Sequence, residues 1–204
     1  FFREGKLEIS TSNTSWVTWS IPQNLIIDTP VFIEVEAQGA EGSSYGVICG
    51  FQDADNYYGV LTDNYYAQIF QTSHGDSQTL DHVWISPTKR SDLNRLRVMC
   101  MEDKIRMDLN YEPILEVPVD LTPGAVGLVA RSEYIPDTKV AFDNFSVSTA
   151  EEVSQGNWDN YPELWTYSTG FDSNDLNWDE GNWDSANLHI QDGRYQIKVN
   201  SDKW

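Results

Sequence analysis

Val31-Phe32-Ile33-Glu34-Val35-Glu36-Ala37 alternates with a period of two: Val31, Ile33, Val35 and Ala37 fall on one face of an extended chain, Phe32, Glu34 and Glu36 on the other. A helix would scatter both sets around its circumference, so the stretch reads as a strand with one face in a core. Working outward, similar segments recur at Leu7–Ser10, Tyr45–Phe51, Tyr57–Thr62, Tyr66–Gln71, Asn94–Met101, Lys104–Asn110, Ala125–Arg131 and Lys139–Val147. Turn text such as Asp53-Ala54-Asp55-Asn56 and Thr122-Pro123-Gly124 separates them. Helical periodicity is almost absent. Short strands punctuated by turns, without helices to make crossovers, predict an all-β, two-sheet antiparallel jelly-roll sandwich.

The chain has 204 residues, 40% of them hydrophobic, which is enough to bury a core. Its net charge of −19 repels a phosphate backbone or an anionic bilayer, so nucleic acid and membrane surfaces are excluded as partners. No apolar run is long enough to span a bilayer as a helix. After Val147 the composition shifts to Asn, Asp, Trp, Ser and Gly, and strand text returns at Leu188–Val199.

That last segment repeats the first. Ile190-Gln191-Asp192-Gly193-Arg194-Tyr195-Gln196-Ile197 matches Phe2-Arg3-Glu4-Gly5-Lys6-Leu7-Glu8-Ile9 in residue type, and the same offset of 188 brings Trp204 onto Trp16. The expected organisation is a module over residues 1–148 lacking its opening strand, a linker over 149–164, and the opening strands of the next unit over 165–204. One sheet has one place for a given strand, so the tail is expected to pair with another copy or the next tandem domain. Trp178, Trp183, Ile190, Tyr195, Ile197 and Trp204 would supply that strand complementation.

Several motifs together resemble the concanavalin-A-like, laminin-G-like jelly-roll modules of bacterial extracellular and surface repeat proteins. They are Asp192-Gly193-Arg194-Tyr195, Tyr45-Gly46-Val47-Ile48-Cys49-Gly50-Phe51, Asp55-Asn56-Tyr57-Tyr58-Gly59-Val60 and Asn94-Arg95-Leu96-Arg97-Val98-Met99-Cys100. Ile105-Arg106-Met107-Asp108-Leu109-Asn110, Gly124-Ala125-Val126-Gly127-Leu128 and Val140-Ala141-Phe142-Asp143-Asn144-Phe145 continue the series. The resemblance implies the sandwich fold; it leaves function open, since such folds host lectins, glucanases, adhesion modules and spacers. Phe51 stands where the family often carries a basic residue. Related modules often pair cysteines at the places of Cys49 and Cys100, which implies a disulfide on neighbouring strands and an oxidising, extracellular or cell-surface setting. Two buried free thiols are the alternative.

Glu34 and Glu36 lie two apart on a strand, as the carboxylates of sandwich-type glycosidases do. A third carboxylate at the next alternate position is missing, since Ala37-Gln38-Gly39-Ala40 follows, and the pair reads as a solvated strand face with no catalytic role. His74, His82 and His189 lack partners at zinc-ligand spacing, and no nucleophile elbow occurs. Asp53 and Asp55 in one turn, and Asp172 and Asp175 in the tail, are candidate calcium ligands outside any EF-hand spacing. Tyr57, Tyr65 and Trp84 are candidate rings for stacking on sugars. The first functional expectation is a non-catalytic structural module that assembles head-to-tail with other copies or tandem domains. The alternative is a carbohydrate-binding, lectin-like module with polysaccharide as partner, and a glycoside hydrolase relative is the outlier.

Overall fold

The computed structural model describes residues 7–11, 17–23, 25–27, 30–63, 65–86, 91–132, 138–149, 167–169, 178, 181–182, 186–190 and 195–199. These form seventeen strands in two sheets. The first sheet runs β11 (Glu112–Pro118), β10 (Lys104–Leu109), β9 (Asn94–Cys100), β4 (Val31–Gly39), β13 (Thr138–Thr149), β1 (Leu7–Thr11), β17 (Tyr195–Val199), β16 (Ala186–Ile190) and β15 (Gly181–Asn182), with β14 (Tyr167–Thr169) also on β13. The second runs β2 (Val17–Ser20), β12 (Gly124–Ser132), β5 (Ser43–Asp53), β6 (Asn56–Thr62), β7 (Tyr66–Ser73) and β8 (Asp76–Trp84), with β3 (Ile26–Ile27) on β12. Every pairing is antiparallel apart from β1 with β17. The fold is an all-β sandwich of the jelly-roll kind.

Strand alternation fills the space between the sheets. Val31, Ile33, Val35 and Ala37 of β4 point inward and meet Val47 and Cys49 of β5, Val60 of β6, Ile69 of β7 and Leu128 of β12 in one buried cluster. Each aliphatic side chain so buried stabilises the fold by about 1.5–3 kcal/mol relative to exposure. Cys49 and Cys100 are bonded, with Cα atoms 6.5 Å apart. The bridge differs from the sequence expectation in one respect: it joins β5 to β9, strands of opposite sheets, where neighbouring strands were expected. Both cysteines point into the core from facing layers, which is the geometry that brings their sulfurs together.

One polar relay crosses the core. Asn94 Nδ2 donates to the hydroxyl of buried Tyr45 at 2.6 Å, and Asn110 Nδ2 donates to Asn94 Oδ1 at 3.0 Å. Burial pushes the Tyr45 phenol up to about 12; the Asn94 hydrogen bond opposes this and the Asp63 carboxylate adds to it. An unfolded tyrosine ionises near 10. The stability this group contributes is therefore intact below pH 10 and lost as pH rises to about 12, at up to about 1.4 kcal/mol per pH unit. In alkaline urea titrations, Tyr45→Phe is expected to flatten that slope; an unchanged slope would assign the effect elsewhere.

The tail departs from expectation. Tyr195–Val199 lies in the same sheet as β1, paired with it in parallel through Glu8 with Gln196 and Ile9 with Ile197. The repeated texts thus stand side by side at their own offset of 188 instead of in separate modules. The premise that a sheet has one place for this strand fails because β1 uses only one edge on β13 and leaves the other to be extended. β13 is also long enough to seat β1 along Thr138–Phe142 and β14 along Phe145–Val147. Trp178, expected to serve another copy, is buried in this module's core, its ring 5.4 Å from that of Phe145 in an edge-to-face contact. Ile190 ends β16, which pairs with β17 through Tyr195. Trp183, Trp204 and most of the 149–164 linker lie outside the described residues.

Candidate functional site

The outer face of the first sheet carries charge in rows. Across β10, β9, β4 and β13, strand register sets Asp108 opposite Arg97, Arg97 opposite Glu34 and Glu34 opposite Ser146; the next row sets Arg95 opposite Glu36 and Glu36 opposite Asp143. Opposite charges on directly paired residues attract, so the arginines of β9 form ion pairs with the glutamates of β4. Arg97 Nε lies 3.1 Å from Glu34 Oε2, and Arg95 reaches Glu34 at 3.6 Å and pairs with Glu36. Arg106 Nε meets Asp108 Oδ1 at 2.9 Å. Asn144 Nδ2 donates to Glu36 Oε2 at 2.9 Å. Glu34 and Glu36 therefore sit on the outward face, as expected, but in an arginine network instead of in bulk solvent.

Tyr111 stands over this network. It belongs to the two-residue turn Asn110-Tyr111 joining β10 to β11, where Leu109 pairs with Glu112. Both turn residues have positive φ, 52° at Asn110 and 69° at Tyr111, the pattern of the hairpin turn that favours Asn followed by Gly. A bulky side chain at the second position costs of order 1 kcal/mol, and such strain collects at functional sites. Here it holds the ring 4.8 Å from the Arg97 guanidinium and 5.4 Å from that of Arg95, which also donates to the Tyr111 hydroxyl. The turn is anchored from below, since Asn110 closes the relay to Tyr45, and Asn110 Oδ1 accepts from the Arg95 amide at 2.9 Å. Tyr111 itself is 58% exposed. Asn144, on the same face, has φ 50° as well.

Burial holds the Arg97 guanidinium down to about 10, with the Glu34 and Asp108 carboxylates pulling the other way. Arg95 is raised above its ordinary value, first by the hydrogen bond to Glu36 and then by Glu34. Both arginines stay cationic at neutral pH. The face thus offers fixed donors from Arg95, fixed acceptors from Glu36 and Asn144, and an apolar ring at the rim. Fixed donor and acceptor pairs match adjacent hydroxyls, and an aromatic face matches a C–H surface.

Of the residues singled out in the sequence, Tyr57 is buried among Trp19, Phe51 and Phe70 on the outer side of the second sheet. It offers no free face for stacking, because the alternation that turns it away from the main core delivers it into a second apolar cluster. Tyr65 and Trp84 are exposed, at the end of the second sheet where Tyr66 pairs with Trp84. Asp53 Oδ1 accepts from the Asp55 amide at 2.8 Å and from Asn56 Nδ2 at 2.9 Å, an Asx turn. The Asn56 bond, then the Asp55 amide, lowers the Asp53 carboxyl below its usual range. Among the described residues no group of three or more His, Cys, Asp or Glu is placed to hold a metal. Asp172 and Asp175 lie outside the described residues. Sequence reasoning missed Tyr111; the signal was a tyrosine following Asn110 at the end of the Lys104–Asn110 strand text, at a turn position that glycine usually takes.

No protein-family model matches the chain, and no curated protein matches its sequence. Solved structures do share its fold. The carbohydrate-binding module CBM66 from Bacillus subtilis superimposes with a TM-score of 0.50 at 14% identity, covering 68% of this chain and 99% of that module. A Bacillus subtilis protein of unknown function with a galectin-like fold gives 0.52 at 14% identity, over 70% of this chain and 81% of its own. A toad ovary galectin in complex with thio-digalactose gives 0.50 at 13% identity, over 66% of this chain and all of the galectin. The sandwich is thus of the concanavalin-A-like, galectin-like kind.

Proposed function

We propose that the chain is a non-catalytic, extracellular, lectin-like module that binds carbohydrate on the outer face of its first sheet. The observation that carries this reading is Tyr111, an exposed ring held at positive φ over two arginines that are themselves fixed by Glu34 and Glu36. Arg95, Glu36 and Asn144 would address hydroxyls while the ring covers the apolar side of the sugar. Arg97, Glu34 and Asp108 would hold that set in place. The carbohydrate-binding module and the thio-digalactose complex among the structural neighbours support the class of ligand, and the Cys49–Cys100 bridge supports an oxidising setting. The laminin-G resemblance adds the bacterial-surface context. Head-to-tail assembly loses its main support once the tail pairs within its own sheet.

A glycan array tests the reading. Native protein is expected to select a restricted set of sugars, and Tyr111→Gly to lose at least tenfold of that signal. The same variant releases strain of order 1 kcal/mol while giving up cation–π contacts of about 0.5–1 kcal/mol, so its melting temperature should stay within a few degrees of native. A blank array, or equal binding by Tyr111→Gly, would overturn the assignment.

A further inference from the structure

Each of the three arginines around Tyr111 is already matched to a carboxylate. Arg97 pairs with Glu34, Arg106 with Asp108, and Arg95 with both Glu34 and Glu36. Asp143, opposite Glu36 on β13, brings the carboxylates of this cluster to four against three arginines. The neighbouring Lys104–Glu116 pair, at 3.6 Å, adds no net charge. At Arg95 the match extends to single atoms: one terminal nitrogen donates to the Tyr111 hydroxyl and the other to Glu36 Oε1. Glu36 Oε2 accepts from Asn144 Nδ2 at 2.9 Å, so both oxygens of that carboxylate are held and it does not swing aside.

Resting on the carbohydrate reading of this face, we infer that it takes neutral sugars and refuses uronic acids and sulfated sugars, with Glu36 setting the choice by occupying Arg95. A hydroxyl oxygen needs one N–H, and a guanidinium has five to give, so Arg95 can serve a neutral sugar and keep its partners. A carboxylate or sulfate is gripped best through two parallel N–H groups, and both terminal nitrogens of Arg95 are engaged. An acidic sugar would therefore have to share that guanidinium with Glu36. Two anions would then stand on one cation at a half-buried position, where like charges repel more strongly than in water. Arg97 offers no second anchor, because its side chain is 8% exposed and lies beneath the Tyr111 ring. The net charge of −19 repels anions as well, but salt screens that field at distance while the contact at Arg95 is local. A like charge set against one ligand of a related pair is a direct means of telling the two apart.

The test is a glycan array on which neutral glycans are printed beside counterparts that differ by a carboxylate or a sulfate. It is probed at about 0.1 M and about 1 M salt with native protein, Glu36→Gln and Glu116→Gln. Native protein is expected to bind the neutral member of a pair at least tenfold more strongly. Most of that preference should survive the higher salt, where screening acts beyond about 3 Å and removes the long-range repulsion. Glu36→Gln keeps the shape and an acceptor for Arg95 but not the charge. It should cut the preference at least fivefold by gaining the acidic member, a gain that a merely structural role would not produce. Glu116→Gln removes the same charge from the same sheet, on the Lys104 pair, and should keep the native preference. Acidic and neutral members bound equally by native protein, or a preference that survives Glu36→Gln, would overturn this inference and leave the carbohydrate reading standing. An array blank for native protein would overturn both.

Discussion

Replacing Trp178 by alanine is expected to destabilise the fold by about 3–5 kcal/mol, the range for deleting a large aromatic from a packed core. The side chain is 1% exposed and belongs to the same cluster as Phe142, Phe145 and Val147. Its edge-to-face contact with Phe145 adds about 0.5–1.5 kcal/mol beyond area. The residue sits in the segment that the repeat would assign to the next unit, so the experiment also decides whose core it completes. Urea unfolding of the isolated chain at low concentration should show the loss as a shift in midpoint with little change in slope. A loss below about 1 kcal/mol would mean that Trp178 is not seated in its own module.

Reduction of the Cys49–Cys100 bridge, or replacement of both cysteines by alanine, is expected to cost about 4 kcal/mol. Cross-linking positions 51 residues apart removes about that much loop-closure freedom from the unfolded chain. The bridge runs from sheet to sheet, so its loss also removes the chain's one disulfide cross-link between the layers. Denaturation with and without reductant measures the difference, and thiol titration of unfolded, unreduced protein should find no free cysteine. Equal midpoints would show that unfolded-state structure or native strain cancels the entropy gain.

The fold was legible where one face of a strand is buried and the other is not. β4 shows this through Val31, Ile33, Val35 and Ala37, and the predicted segments from Tyr45 to Val147 became strands. β8 went unread because Asp76-Ser77-Gln78-Thr79 at an exposed edge has no apolar period to read. β11 went unread because Pro113 and Pro118 look like breakers until the strand is seen to lie at an edge, where a missing amide does no harm. The rows of charge on the first sheet were partly visible in Glu34, Glu36, Arg95 and Arg97, but pairing them needs register, which depends on which strands are neighbours. Tyr111 was hidden for another reason: its place over Arg95 and Arg97 follows from a backbone angle, and a tyrosine after an asparagine carries no periodicity. The cysteine pair was foreseen, though not that it would cross between layers.

The parallel pairing of β1 with β17 sets a race. Two strands with one text both suit the edge of β13, and native order requires β1 to lie next to it with β17 outside. Reaching β13 means closing roughly 130 residues of chain for β1 and roughly 55 for β17, a difference of about 0.8 kcal/mol in closure entropy. The later strand therefore finds that edge about four times as readily and has to be moved aside when the earlier one arrives. During synthesis the order is reversed, because β1 leaves the ribosome first and can take its place on β13 before β17 has been made. Folding as the chain grows reaches the native strand order directly, whereas refolding of the finished chain has to sort two matching strands.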